Sequence, residues 1–588
     1  MTEWITIQES SKLVNKDISV IRKARKKYGF KSKLSETGSW LVDKDDVLKH
    51  YQKNKYFFDK EEVEEFFDKV KEINKEDEDF LGDIHSRKAI KRPLPPKGES
   101  KYYLITAALN NTSVNEDFFK NLLAVKENFN AELLVSRLVY NKNGLNTARE
   151  KDSAVSDNDN QPRYANSLNA FLNDDYIELS NDLVYLGHVN RSITASTPLS
   201  SSQHQGWNKS FVLPHTKRAL ETYPVSYAKS TISKKVGYTT GVVTNMNYIQ
   251  NFAGQKMELF HYFGACLVKV NDDGSSFVYQ LSSSSDGNFS ICLFDLTFIG
   301  GKILKNQTIS GIVLGDSHNS KLPGTKVFED FFGKNNIFSG LNIRKAVIHD
   351  SLDFSSRSHH TSKDYLTQFI QHHTNNSDVF TELKITVDII NEIKNIAEEI
   401  FIVESNHDCH LSLYLNGNWK LDDHVNKLTN LYLNFIQYAK ACSDNNINNS
   451  LIEHCVYEPF VDTLKDLKTF DGDIYEFVAR KMIGLKDNIK FVDHKKDVFI
   501  EDYLINLHGD KGTNGSRSTK SLKNISQKMI VGHSHTPSIQ DFLTIVGYTG
   551  EKSKFDYATS PSSWAIAFSF IYSNGTSGLY FYSNGNFR

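Results

Sequence analysis

The sequence predicts a mixed α/β (α+β) protein of several domains, and three observations predict it. Five apolar runs of strand length between residues 312 and 535 each end in Asp, His or Asn. Stretches with apolar residues at helical spacing fill the gaps between them, as in Val387, Ile390, Ile393, Ala397 and Ile400. A separate basic, helix-rich stretch occupies residues 1–53.

Composition narrows the class. At 588 residues the chain exceeds one core, and about three or four domains are expected. An apolar fraction of 39% and a charged fraction of 24% describe a globular chain. A net charge of −2 supplies no overall basic field, so any attraction to nucleic acid must be local. Cys266, Cys292, Cys409, Cys442 and Cys455 form no CxxC pair and no even framework, which suits a reducing cytoplasm. The start Met-Thr-Glu-Trp-Ile lacks the pattern of a signal peptide. No apolar run reaches about 18 residues, so neither a membrane span nor a membrane partner is expected.

Taken in order, residues 1–53 open with Ile5 and Ile7. Gln8 to Val14 reads as one helix, Asn15-Lys16 as a turn and Asp17 to Tyr28 as a second helix, stopped by Gly29. Ile18, Ile21 and Ala24 line one face of the second helix, and Arg22, Lys23, Arg25, Lys26 and Lys27 crowd the others. Gly38 to Val42 reads as a strand, and Asp45-Asp-Val-Leu opens a third helix. The order is similar to the winged helix-turn-helix of excisionase-type DNA-binding modules. That resemblance implies a recognition helix in the major groove with its lysines and arginines on phosphates.

Residues 54–98 hold a charged helix and a linker. Asp59 and Glu62 make a capping box, and Val63, Phe66, Phe67, Val70 and Ile73 form a stripe fit for packing against another domain or another copy. Pro93, Pro95 and Pro96 stiffen the linker. Residues 99–305 read as an α/β accessory region. It opens with a strand from Tyr102 to Ala108, a helix from Val114 to Asn128 and a strand from Ala131 to Tyr140. The polar stretch Asn141 to Arg163 reads as a surface loop, and beyond it come strands such as Phe260 to Val270 and Phe289 to Phe298. His188, His215 and His261 fall here and read as structural histidines. No internal repeat is visible.

Residues 306–588 carry the chemistry. The five motifs are Gly-Asp316-Ser-His318, His349-Asp350-Ser-Leu-Asp353, Ser-Asn406-His407-Asp408, Leu-His508-Gly-Asp510 and Gly532-His533-Ser-His535. Strand ends of open α/β sheets are where ligands collect. Asp and His together suit manganese, iron or zinc. Asp316 and His318 stand two apart and can turn to one point, Asp350 can bridge two ions, and Asn406 offers an amide oxygen. His508, His533 and His535 add imidazoles. Two ions at roughly 3.5–4 Å can clamp a phosphate and acidify a water for in-line attack. His407 is placed to protonate the leaving group, with Asp408 behind it to fix its tautomer. The closing stretch, Trp564 to Phe587, reads as a hairpin about Asn574-Gly575.

This series resembles the calcineurin-like metallophosphoesterase superfamily over about residues 306–560. The resemblance implies a catalytic double-sheet sandwich flanked by helices. One ion would take Asp316, His318, Asp350 and His535, and the other Asp350, Asn406, His508 and His533. Two positions depart from the pattern, His349 and Ser405, where glycine is usual. His359-His360, Glu404 to Asp408 and the run His508 to Arg517 are similar to phage-encoded metallophosphoesterases of the pre-early, host-DNA-degrading kind. In the last run the glycines allow close approach of backbone to phosphate, and Lys511 and Arg517 add positive charge. His359 and His360 are candidates to touch the substrate.

The expectation is therefore a two-metal, manganese-dependent DNA phosphodiesterase, with DNA as partner, the host cytoplasm as location and a homo-oligomer as a possible assembly. Two rivals stand beside it. One is a phosphatase or phosphodiesterase acting on nucleotides, phosphoproteins or small molecules. The other is a DNA-binding regulator or scaffold without turnover.

Overall fold

The structure is a computed structural model. It describes residues 4–13, 21, 25, 31–35, 40–52, 89–140, 163–226, 234–358, 364–417, 423–445, 465–467, 470–555 and 560–587. Arg22, Lys23, Lys26, Lys27, His359, His360 and the stripe Val63 to Ile73 lie outside those residues. The chain divides into two compact units, Met1–Lys88 and Ala89–Arg588.

In the first unit, strands Trp4–Thr6 and Ser32–Leu34 flank strand Trp40–Asp43, both antiparallel to it. Helices Ile7–Leu13 and Lys44–Gln52 accompany them. Ile5, Ile7, Leu13, Ile21, Val42 and Val47 form its core. Ile21 and Arg25 are helical, as the sequence predicts for that segment. The guanidinium of Arg25 stacks 3.8 Å over the Trp40 ring, an arrangement that spends part of its charge on an aromatic face.

The second unit is built from stacked sheets. A six-stranded sheet runs Ile489–Val492, Ala397–Val403, Asn342–Ile348, Thr308–Val313, Ala567–Tyr572, Ser577–Phe581. Its first four strands are parallel and the last two antiparallel. Alternation along these strands assigns each face. Val313, Val347, Phe401 and Val403 face one apolar cluster. Ile312, Ala346, Ile348, Ile400 and Ile402 face another, shared with helix Val379–Glu392. Each fully buried aliphatic or aromatic side chain contributes about 1.5–3 kcal/mol. Strands locked on both faces therefore make a rigid platform for the loops at their ends.

The first of those clusters joins the six-stranded sheet to an eleven-stranded one, through Ile500, Ile505, Ile530, Ile539 and Val546. The longer sheet takes strands from residues 90–239 and from 499–545, so the segments 99–305 and 306–588 share a single sheet. They join where Ala219–Glu221 pairs antiparallel with Ser538–Gln540. A four-stranded sheet, Ser276–Ser282, Gly264–Asn271, Ser100–Leu109, Glu132–Leu138, packs on the other half of the long sheet through Tyr103, Ile105, Cys266 and Val268.

Local differences from the sequence reading have physical reasons. Apolar spacing continues to Ile400, yet the helix ends at Glu392 because parallel pairing with Asn342–Ile348 takes Ala397–Val403 into the sheet. The run from Phe260 begins as a helix end, with Asn251 capping Phe252–Leu259, and becomes a strand only at Gly264.

Candidate metal centre

Three parallel strands of the six-stranded sheet end within a few residues of the first three motifs. Thr308–Val313 delivers Asp316 and His318, Asn342–Ile348 delivers Asp350, and Ala397–Val403 delivers Asn406 and His407. The facing sheet supplies the rest. Tyr503–Leu504 leads to His508 and Met529–Val531 to His533 and His535. The pairings Ser317 N to His349 O, 3.0 Å, and His318 N to Asp350 O, 2.8 Å, tie the first two loops together. Gly532 N to His508 O, 2.8 Å, ties the last two.

Most of these side chains are buried. Asp316 and His318 are fully covered, and Asp350, His508 and His535 nearly so. Asn406, His407 and His533 are only partly buried. Asp350 belongs to two groups of potential ligands. With His318 and His535 it forms one, and with Asp316 and His508 another. Its Oδ2 stands 3.8 Å from His318 Nε2 and its Oδ1 3.3 Å from His508 Nε2. One carboxylate thus turns an oxygen to each group, as a bridging ligand does. These buried groups can hold a metal ion.

The donor chemistry fits a cation. Asp350 Oδ1, Asn406 Oδ1 and both ring nitrogens of His508 are buried and make no hydrogen bond, a costly condition for polar atoms with no other use. His318 Nδ1 lies 2.8 Å from Asp353 Oδ1. With the proton on Nδ1 donated to Asp353, Nε2 turns a lone pair inward, 3.3 Å from His535 Nε2. His535 Nε2 is also 3.0 Å from Asp316 Oδ2. His533 lies outside both groups, its ring 5.1 Å from that of His508.

Backbone geometry is strained at the same places. His318, Asp350, His533 and His535 have φ of 41°, 46°, 70° and 54°. Non-glycine residues rarely take such values, and each costs on the order of 1–3 kcal/mol. Gly532 has a steric cause. A Cβ there would meet Asp316 Oδ1 at 2.1 Å and His349 at 3.1 Å.

Electrostatics separate the groups. Burial opposes a charge on His508, but Asp350 and Asp316 outweigh it and push its pKa up to about 9. Burial likewise opposes His407, and Asp350 and Asp353 leave it raised. Asp350 is held well below the ordinary range, with His508 and His407 outweighing burial. Asp408 is pushed up to about 7 by burial and by Asp350.

The neighbours of His407 differ from the sequence expectation. Its Nδ1 is 3.2 Å from the Asp353 carbonyl oxygen. Asp408 instead accepts from Ser351 Oγ and Leu352 N, both at 2.9 Å, and from Ser405 Oγ at 2.9 Å. It therefore pins the second loop to the third. Lys511 is exposed, 3.8 Å from Glu404 and 3.4 Å from His494, and Arg517 is exposed.

Sequence reasoning assigned no role to Asp353, although its spacing three residues after Asp350 was visible. Lys321 Nζ, 3.3 Å away, adds a second contact to it. Buried Glu382 accepts from Ser355 N at 2.8 Å and Ser356 N at 2.9 Å, anchoring the loop that holds it. An aromatic wall was also missed. Trp564 and Phe555 lie 4.4 Å and 6.0 Å from His535, and no spacing in the sequence signals them.

Compared with known proteins, the chain is similar to Protein A1 of Escherichia phage T5, with 28% identity over 499 residues that cover 83% of each chain. No family model matches it, and no solved structure does. Among the described residues no helix is long and apolar enough to cross a membrane.

Proposed function

We propose that this chain is a phage-encoded, two-metal DNA phosphodiesterase of the calcineurin-like kind, acting on host DNA early in infection. The carrying observation is Asp350, whose two carboxylate oxygens each face a separate group of buried ligands. A double-sheet sandwich with helices outside and the motifs at strand ends supports the fold assignment. Similarity to a phage protein along most of the chain supports the setting.

One ion would be held by Asp316, His318, Asp350 and His535, and the other by Asp350, Asn406, His508 and His533; this mixture of oxygen and nitrogen donors suits manganese, iron or zinc, and manganese is the one the resemblance implies. A bound pair of divalent ions supplies a clamp for phosphate and lowers the pKa of water. The chain's own residues do the remainder. Asp353 fixes the His318 proton on Nδ1 and keeps Nε2 free for coordination. His407, partly buried beside Asp353 with a raised pKa, holds a proton that it can give to the leaving oxygen. Asp408 holds the two loops in register rather than touching the imidazole. Lys511 and Arg517 would meet backbone phosphates at the rim. The 1–53 segment would act as a winged helix-turn-helix module that engages the duplex, with Arg22, Lys23, Arg25, Lys26 and Lys27 as its basic face.

The test is cleavage of plasmid and linear DNA with manganese or with chelator, alongside hydrolysis of p-nitrophenyl phosphate. Manganese-dependent fragmentation of DNA is the expected result. Turnover of the small phosphate alone would move the function to a phosphatase. Salt-sensitive DNA binding without cleavage in manganese would leave a binding protein.

A further inference from the structure

The sheet topology repeats where the sequence does not. In the six-stranded sheet, Thr308–Val313 pairs parallel with Asn342–Ile348 across helix Lys326–Phe332, and antiparallel with Ala567–Tyr572, which forms a hairpin with Ser577–Phe581. In the four-stranded sheet, Ser100–Leu109 pairs parallel with Glu132–Leu138 across helix Glu116–Asn128. It pairs antiparallel with Gly264–Asn271, which forms a hairpin with Ser276–Ser282.

The long sheet repeats as well. Outward from the joint, one side runs Ser538–Gln540, Leu543–Ile545, Met529–Val531, Tyr503–Leu504, Phe499–Ile500, with pairings antiparallel, parallel, parallel, antiparallel. The other runs Ala219–Tyr223, Lys235–Thr239, Ser210–Leu213, Leu183–Leu186, Tyr176–Glu178, with the same pairings in the same succession, and then adds Ile90–Lys91, parallel to the last of these and without a counterpart on the first side. Chain order within each side also agrees. The joint is antiparallel and centred on Leu220 opposite Ile539, as a local two-fold axis between them requires.

Register converts topology into residue equivalence. Val531 faces Ile545 as Leu213 faces Thr239, each the last pair of its ladder. Counting on, His533 corresponds to His215 and His535 to Lys217. Leu504 faces Met529 as Val184 faces Phe211, so His508 corresponds to His188. Two histidines persist, but the carboxylates do not. The ends of the first two strands and the described residues directly following them, Thr106 to Thr112 and Ser136 to Val139, contain no acidic residue and bring Arg137 instead.

We infer that residues 90–282 are a second copy of the unit in residues 308–581, its ion site given over to the Lys217 ammonium, so that the chain is a fused pair with one metal centre. Lys217 is buried, donates to Ser196 O at 2.7 Å and pairs with Asp541, which comes from the other copy. His215 is committed to backbone. Its Nδ1 accepts from Lys217 N at 3.0 Å, and its Nε2 lies 3.1 Å from Ser192 O. His188 is exposed. A tethered cation thus stands beside the retained imidazole where the other copy gathers carboxylates, and each copy is stitched to its neighbour by the shared ladder.

The ion count rests on the two-metal reading, whereas the duplication does not, so the test has two readouts. The full chain is loaded with manganese, desalted and measured by plasma mass spectrometry. Two ions are expected in the wild type and in a His188→Ala/His215→Ala double variant. Loss of an ion in that double variant, or four ions in the wild type, overturns the inference. A wild type that holds none sinks the two-metal reading only, and the second readout then decides. That readout is thermal unfolding in chelator of Lys217→Met, Asp541→Asn and their combination. Each single change is expected to lower Tm by several degrees, and the combination by clearly less than the sum. If Lys217→Met does not fold, rescue by Asp541→Asn is the expected result. Strict additivity, or a double variant that stays unfolded, overturns the assignment of Lys217 as the substitute cation.

Discussion

His533 and His215 follow the same strand of two similarly wound halves, yet their surroundings are opposed. Around His533 stand His508, Asp350 and Asp316, and the two carboxylates raise His508 to about 9 against its burial. Around His215 stand a lysine, an arginine and backbone carbonyls, and burial lowers it to about 4 with Lys217 and Arg191 pushing the same way. The His533 side gathers buried carboxylates beside its imidazoles, and the His215 side places an ammonium there. What distinguishes the halves is the pair of carboxylates at the first two strand ends, and the loops that bring them within reach.

The sharpest way to break this contrast is to remove the shared carboxylate. Asp350→Ala should abolish manganese-dependent DNA cleavage, a loss of at least about 10³-fold if several kcal/mol of charge stabilisation disappear, and metal content should fall with it. Retained activity on plasmid would remove the mechanism. Next, His407→Ala should keep the ions and lose about 10²–10⁴-fold in kcat, the range for a general acid. Loss of metal in that variant would show that His407 is a ligand instead. Third, Asp353→Asn should weaken manganese affinity about 10–100-fold, as removal of a carboxylate behind a ligating histidine does. Isothermal titration would read it, and unchanged affinity would refute the tautomer role.

A smaller effect concerns acidity. In metal-free protein the folded pKa of His508, about 9, lies above its ordinary 6.5. Its contribution to stability is fully present below pH 6.5 and is lost as pH rises through 9. Asp408, raised from 3.8 to about 7, loses stability with rising pH in the same direction. Chelator-treated protein should therefore melt at falling temperatures from pH 6.5 to 9, and a flat profile would contradict the two carboxylates as the cause. The smallest effect sharpens the comparison from the other side. Arg137→Ala breaks its ion pair with Asp174 at 2.6 Å and should leave metal content and cleavage unchanged, because it lies outside both groups of potential ligands that Asp350 joins.

How much of this was legible in the sequence depends on what carries each feature. The residues at 316–318, 350, 508 and 535 stood out because ligand-type side chains recur behind apolar strand-length runs, and the structure brings these together. Asp353 stood in plain view within its motif, but its role became readable only from its contact with His318. The duplication was invisible for the opposite reason. Strand order and pairing are made by backbone hydrogen bonds, which many apolar sequences satisfy equally well. Little side-chain likeness had to survive in residues 90–282, and Lys217 in place of His535 erases the one motif that would have revealed it. The aromatic wall of Phe555 and Trp564 reaches the site from beyond the last motif, by a path that no periodicity encodes.

The joint between Ala219–Glu221 and Ser538–Gln540 has a consequence for solubility. An unpaired edge of this kind invites other chains to add to it, and lengthens a sheet without limit. Here the two margins that would have been open are spent on each other, inside one polypeptide. Among the described residues, the long sheet ends at Ile90–Lys91 and Phe499–Ile500, two residues each, and edge strands this short are poor templates for the addition of another strand.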